Sequence, residues 1–378
     1  MRTRTTREII ESYDPQTSLA EASTPPADWY IDSRILELER QTVFIRSWQV
    51  AARAAQVVEP GQYITSEVAG EPILVVRGSD GLLRGFFNVC RHHAAAVMTD
   101  LEGTAQILRC PYHGWTYSLT GQLQGTPEFA GVGNFDRRTH GLLPVETALW
   151  KDWLFTKLES GRPTLEEFLG DDLAERVKGL DLKNFHWLER RRYTVDCNWK
   201  VYIDNYLDGG YHVPSVHRGL HSVLDYQQYL IENGARFCVQ SSPLVADGAD
   251  APTSKVRKGD RAFYYWIYPN FMINCYGDTM DTNLVRPLTV ERTEVIFDYY
   301  FADVSEGARE LNRASITISE EIQEEDAAIC QSVQQGLCSR SFTAGRLSLR
   351  REAGEHLFHK LLYADLKTGI DEVSGCDR

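Results

Sequence analysis

Residues 90–115 read CRHHAAAVMTDLEGTAQILRCPYHGW. The stretch holds two cysteines and three histidines, in a 378-residue chain with only 8 Cys and 10 His. Cys90 and His92 form one short pair; after 17 intervening residues, Cys110 and His113 form a second. Two mixed thiolate–imidazole pairs on two loops can hold a metal. Zinc in a Cys2His2 site usually pairs Cys with Cys and His with His. A two-iron, two-sulfur cluster with cysteines on one iron and histidines on the other fits the mixed pairs better, and that ligation raises the reduction potential.

Around this stretch the chain is β-rich from Trp48 to about Phe155. Runs such as QYITSEV, EPILVVRG and LLRGFFNV are bounded by Gly, Pro and Asp, as half-buried strands are. Before it come a loop at Ser23–Asp28 and a predicted helix at Ser33–Thr42. After it, Thr164–Gly179 reads as polar helix and turn. A second β-rich part begins near Trp187 and includes Ala262–Tyr276 and Glu294–Asp303. Glu310–Leu337 is a predicted long helix. The length allows about two domains. Hydrophobic content of 43% and charged content of 25% are ordinary for a globular protein. No apolar run is long enough to span a membrane, and the N-terminus lacks the apolar core of a secretory signal. A net charge of −13 argues against nucleic acid and anionic membranes as partners. Cys197, Cys238, Cys275, Cys330, Cys338 and Cys376 have no paired spacing and read as reduced thiols, which points to a reducing, cytoplasmic setting.

A second constellation lies in NWKVYIDNYLDGGYHVPSVH, residues 198–217, with Asp204, Asp208, His212 and His217. Asp208 and His212 are spaced to share a helix face. His212 and His217 are about 140° apart on an ideal helix and Pro214 lies between them, so a helix end near His212 would let the two converge. Two imidazoles and one carboxylate form the facial triad of non-haem Fe(II) oxygenases, which leaves positions open for O2. The carboxylate must come from elsewhere. In the helix Glu310–Leu337, Glu325 and Asp326 sit about 50° to either side of the apolar stripe, so periodicity does not choose between them. The acidic run Glu320, Glu321, Glu324, Glu325 reads as a solvated face.

CRHH…CPYHGW resembles the Rieske cluster signature. The resemblance implies Cys90 and Cys110 on one iron and His92 and His113 on the other, with Pro111 and Gly114 shaping the loop and Trp115 shielding the cluster; His93 falls outside the ligand pattern. Over nearly its whole length the chain resembles Rieske non-haem iron oxygenase catalytic subunits. That implies an α+β fold: a small all-β Rieske domain (46–160) and a larger helix-grip catalytic domain (161–378), an antiparallel sheet with a long C-terminal helix, with residues 1–45 packing on the latter. It implies mononuclear Fe(II) on His212, His217 and Asp326, the last chosen by resemblance alone. His140, His186, His221, His356 and His359 match no ligand position. In this family an acidic residue, commonly three before the first histidine, bridges to a cluster histidine of a neighbouring subunit. Position 209 here is Gly, so Asp208 is the candidate, Asp204 the alternative, and Asn205 a further polar residue near the iron.

The resemblance further implies a homotrimer, O2 as co-substrate, and electrons from a separate ferredoxin or flavin reductase, since no GxGxxG follows a strand here. NYLDGGYHVPSVH and YPNFMINCYGDTMDTNLV are similar to the choline monooxygenase branch, with Cys275 and Asp278 departing from its pattern. That implies a small cationic substrate, choline oxidised to betaine aldehyde hydrate, and aromatic faces around a trimethylammonium. The candidates are Tyr202, Tyr206, Tyr264, Trp266, Tyr268, Phe271 and Tyr276. A plant or algal source would place the protein in the plastid stroma. The alternatives are an oxygenase acting on another quaternary amine or an aromatic compound, and a Rieske electron-transfer protein.

Overall fold

A computed structural model of the chain describes residues 4–180, 182–245 and 252–376. It divides into two compact units. One spans Phe44–Phe168; the other joins the residues up to Val43 with those from Leu169 onward. The first unit is thus wider than the 46–160 expected from the sequence.

The smaller unit carries β1 (Gln49–Arg53), β2 (Gln62–Val68), β3 (Glu71–Arg77), β4 (Leu83–Phe87), β5 (Glu102–Thr104), β6 (Leu108–Arg109), β7 (Thr116–Tyr117), β8 (Leu123–Gly125), β9 (Pro144–Trp150) and β10 (Trp153–Lys157). Seven form an antiparallel sheet in the order β1-β10-β9-β4-β3-β2-β5; β6, β7 and β8 make a small second sheet. Strand β3 explains how this unit holds together. Its run Ile73–Val76 is wholly buried instead of alternating. Ile73 and Val75 pack with Ala52, Ile64 and Leu154 on one face. Leu74 and Val76 pack on the other with Cys90, Cys110, Trp115 and Tyr117. A strand buried on both faces reads as a continuous apolar run, and here one face is the foundation of the cysteine-bearing loops.

The larger unit is a seven-stranded antiparallel sheet: β11 (His186–Val195), β12 (Leu230–Asn233), β13 (Phe237–Pro243), β14 (Arg261–Ile267), β15 (Phe271–Tyr276), β16 (Thr279–Thr289) and β17 (Arg292–Phe301). Its order is β11-β17-β16-β15-β14-β13-β12, a meander whose first strand closes on the last. Three helices matter for the site: Trp199–Leu207, Arg309–Leu337 and Ala353–Cys376. The sequence reading foresaw one long C-terminal helix, and the structure has two. The N-terminal segment packs within this unit. Its helix Ser33–Glu39 runs into a π-helical turn at Arg40–Phe44. Glu39 there is fully buried against Lys200, 2.6 Å from its Nζ, and takes the Trp199 Nε1–H at 2.7 Å. Among the described residues, no helix is long and apolar enough to cross a membrane. Seven cysteines are free thiols; the Cys376 side chain lies outside the described residues.

Candidate metal centres and substrate cavity

The two cysteine-bearing loops of the smaller unit close in the same way. Cys90 N–H donates to Ala95 O (2.8 Å), and Ala94 N–H returns to Cys90 O (3.0 Å). Cys110 N–H donates to Trp115 O (2.9 Å), and Gly114 N–H returns to Cys110 O (3.1 Å). The fourth residue after each cysteine is left-handed, Ala94 at φ 60° and Gly114 at φ 72°. Both thiols are buried, while His92 is half-buried and His113 exposed. The two imidazole rings stand 4.7 Å apart, and Trp115 stacks on His92 at 4.6 Å and 5°. Burial pushes the Cys110 thiol up. His92 Nδ1 is buried with no partner among the described residues, as expected of an atom reserved for a metal. Two soft sulfurs within and two imidazoles at the rim fit a mixed-ligand two-iron cluster. Tyr117, which the sequence reading passed over, places its hydroxyl 3.3 Å from Cys90 Sγ and accepts the Arg91 N–H at 3.0 Å. His93 is exposed beside His92, ring to ring 4.1 Å.

In the larger unit the structure brings His212, His217 and Asp326 together. Their ligand atoms lie within 4.8 Å of one another. Asp326 Oδ1 is 3.0 Å from His217 Nε2, 3.6 Å from His212 Nε2, and accepts the Asn205 amide at 2.7 Å. Each imidazole has a carboxylate behind it. His212 Nδ1–H donates to Asp208 (2.5 Å) and His217 Nδ1–H to Glu325 (2.6 Å). With each Nδ1–H committed to an outer carboxylate, each Nε2 is the atom turned toward Asp326 and the one that gives up its proton when a metal binds. Burial lowers the His217 pKa, but Asp326 and Glu325 outweigh it and the net shift is upward. Two imidazole nitrogens and a carboxylate oxygen converging, with the imidazoles' outer nitrogens pinned, are the donor set that would hold a mononuclear iron and leave positions open.

The local fold corrects two expectations. Asp208 and His212 do not share a helix face, because the helix ends at Leu207. The chain turns through Gly209 (φ 68°) and Gly210 (φ 67°), and Asp208 reaches His212 across that turn. His212 is not on the last turn of that helix. It opens a separate turn, Val213–Val216, and His217 follows it, which sets the rings 4.8 Å apart. Gly209 also shows why position 209 holds no acid: a Cβ there would stand 2.1 Å from Arg351 O. Glu325, read as part of a solvated face, is half-exposed yet holds His217. Asp204 faces elsewhere, accepting from the Tyr30 hydroxyl (2.7 Å) and contacting His359 Nε2 (2.9 Å).

The triad opens on a cavity of about 100 Å³. Its floor is a polar row in register across the sheet: Gln240 beside Tyr264, Tyr264 beside Asn274, Asn274 beside Asp281. Asn274 donates to Asp281 Oδ1 (2.7 Å) and accepts the Tyr206 hydroxyl (2.7 Å). Tyr202, Tyr206, Tyr264 and Tyr276 line the cavity, joined by Tyr229 and Phe297, which the sequence reading missed. Trp266, Tyr268 and Phe271 do not line it. Trp266 shares the side-chain parity of Tyr264 but lies further along the strand, against Phe358. Tyr268 donates to Asp365 at 2.6 Å. Phe271 has the opposite parity to Asn274 and Tyr276. Cys275 shares that opposite parity, and Asp278 is exposed in the β15–β16 turn, so neither departure from the branch pattern touches the cavity.

The family model of the Rieske [2Fe-2S] domain matches residues 47–136, and that of the ring hydroxylating alpha subunit (catalytic domain) matches residues 182–367. The chloroplastic choline monooxygenase of Arabidopsis thaliana is 36% identical over 95% of this chain and 86% of that protein. The carnitine monooxygenase oxygenase subunit of Escherichia coli is 28% identical over 90% and 93%. A solved structure of a quaternary ammonium Rieske monooxygenase, described in connection with carnitine oxidation by gut microbiota and inter-subunit electron transfer, superposes with a TM-score of 0.81. It is 25% identical over 94% of this chain and 98% of its own. A Rieske cluster, a mononuclear iron and O2 are thus the cofactors and co-substrate. The chain belongs to the Rieske non-haem iron oxygenases, as a monooxygenase catalytic subunit related to choline monooxygenase.

Proposed function

We propose that this chain hydroxylates a small quaternary ammonium compound, with electrons from a separate reductase: R–H + O2 + 2e⁻ + 2H⁺ → R–OH + H2O. The observation that carries this is the cavity itself, in which the inward edge of His212, His217 and Asp326 shares one wall system with five tyrosines. A trimethylammonium group has no N–H to donate, so ring faces are its natural partners, each worth roughly 0.5–2 kcal/mol. Choline, the substrate expected from the sequence, and carnitine, named for the E. coli relative, both carry that group and differ in a carboxylate.

Cys90, Cys110, His92 and His113 would hold the cluster, and His212, His217 and Asp326 the iron. When bound, these groups supply electron transfer and O2 activation. The chain does the rest. Asp208 and Glu325 fix the tautomer and tilt of the two imidazoles. Asn205 holds the Asp326 oxygen in place. The cluster-side imidazoles lie at a protein surface while both thiols are buried, which suits electron exit through the histidines into a second copy of the chain. Asp208, on His212, is the residue assigned to receive a cluster histidine of that copy in a homotrimer.

The test incubates the metal-replete protein with reductant, O2 and either choline, carnitine, glycine betaine or benzoate, and follows products by mass spectrometry. Oxidation of a quaternary amine, lost in His212→Ala with the cluster absorption intact, is the expected result. Turnover of benzoate alone would overturn the substrate class. No turnover of any of the four compounds, despite cluster reduction, would overturn the quaternary ammonium reading.

A further inference from the structure

Arg257 stands in the cavity wall, 5% exposed. Its guanidinium carbon lies 4.1 Å over the Tyr276 ring. Among the described residues it forms no ion pair, and its Nε has no hydrogen-bond partner. A guanidinium stays charged at any working pH, and a buried charge without a partner is costly. Gln323, 2% exposed in the same wall, also presents a donor, Nε2, with no partner; its Oε1 is taken by the Tyr202 hydroxyl. Two buried donors therefore point to an acceptor that the chain does not provide.

The cavity's other buried charge in the sheet is Asp281, 3% exposed and held by Asn274. Burial raises its pKa by more than the field of Arg257 lowers it, and the two side chains are not in contact; a cationic ligand beside Asp281 would favour its ionised form. The cavity thus carries a cation and an anion held apart, with tyrosine faces around them. A substrate with one positive charge satisfies only the anion and the rings, and meets Arg257 as a like charge. A substrate with both charges satisfies the whole set, and a guanidinium binds a carboxylate through two parallel hydrogen bonds.

We propose that the substrate is a zwitterion, a quaternary ammonium compound that also bears a carboxylate, with Arg257 as the carboxylate receptor and the tyrosines and Asp281 facing the ammonium. This rests on the quaternary ammonium reading above and narrows it.

The test is anaerobic calorimetric titration of the metal-replete protein with glycine betaine, carnitine, choline and glycine betaine amide; the amide keeps the ammonium and the size but removes the anion. The expected result is that a carboxylated compound binds at least about tenfold more tightly than choline and the amide, a gap of about 1.4 kcal/mol. Arg257→Gln should close that gap while leaving choline affinity equal or better, and Arg257→Lys should fall between. Equal affinity for choline, amide and zwitterions in the unmodified protein would overturn the proposal while leaving the quaternary ammonium reading intact. Binding of none of the four, with benzoate bound in a parallel titration, would overturn both. Because the four-ligand comparison needs no substitution, misfolding of an Arg257 variant leaves the decision unaffected.

Discussion

Glu325 offers a sharp test of the metal-centre geometry, because it is absent from the triad yet is required to orient it. Its Oε2 lies 2.6 Å from His217 Nδ1, and the His217 ring is 2% exposed. Removing the carboxylate in Glu325→Ala leaves that N–H without its acceptor and frees the ring to adopt the other tautomer. Loss of such an outer partner typically costs about 10–100-fold in metal affinity, or about 1.4–2.8 kcal/mol. Glu325 is itself half-exposed, so solvent screens its direct pull on the ion, and the expectation lies toward the lower end. The comparison is Glu324→Ala, which removes the same charge from an exposed neighbour on the same helix. The measurement is titration of the metal-free protein with Co(II), followed through its visible bands, so turnover is not needed. The expected outcome is a dissociation constant about tenfold weaker for Glu325→Ala than for Glu324→Ala, with Glu325→Gln between. Identical affinities in the two alanine variants would show that His217 is oriented by packing alone, and the reasoning from paired carboxylates would fail.

Four other expectations follow from the geometry. Lys200→Met leaves Glu39 fully buried and unpaired and should destabilise the fold by about 3–5 kcal/mol, read as a fall in Tm, whereas replacing both members with apolar residues should recover most of it. Tyr117→Phe deletes the hydroxyl contact to Cys90 Sγ; at about 1 kcal/mol for one electron, redox titration should find the cluster potential lower by about 40 mV. Because the metal-free His217 pKa is raised above 6.5 by its carboxylate partners, protons compete with the metal as pH falls through that raised value, so metal affinity should weaken on acidification; the metal-free fold itself gains from the protonated pair below pH 6.5 and loses that gain as pH rises through the raised value. Gly209→Ala meets both a left-handed backbone and the Arg351 carbonyl, and should cost at least about 2 kcal/mol in thermal unfolding together with metal retention.

What the sequence showed and what it hid divide along physical lines. The cluster loops were legible because all four donor residues lie within one short stretch and their spacing carries the chemistry. The two histidines of the second centre were legible for the same reason, but their convergence was not: it depends on a helix that stops at Leu207 and a turn through two left-handed glycines. Periodicity could not separate Glu325 from Asp326 because both approach His217, from opposite ring nitrogens. The aromatic segment Ala262–Tyr276 held two of the cavity tyrosines, yet strand alternation alone overpredicted. Parity excludes Phe271, and distance along the strand excludes Trp266. The polar floor escaped notice because Gln240, Asn274 and Asp281 stand on three different strands and come into one row only through strand register.

That floor also bears on how such a protein could change. Every residue placed at the iron centre or directly behind it comes from helices and the turns joining them: Asn205, Asp208, His212, His217, Glu325 and Asp326. The floor residues Gln240, Tyr264, Asn274 and Asp281 come from strands. The two layers meet at Tyr206, whose hydroxyl donates to Asn274 and whose carbonyl accepts from Gln240, so variation at Tyr264 and Asp281 disturbs the helical layer least, provided Gly209 and its neighbour Arg351 stay as they are. A library confined to those two strand positions should return altered substrate ranges on an unaltered reactive centre, whereas a library on the helical layer should return mostly inactive chains.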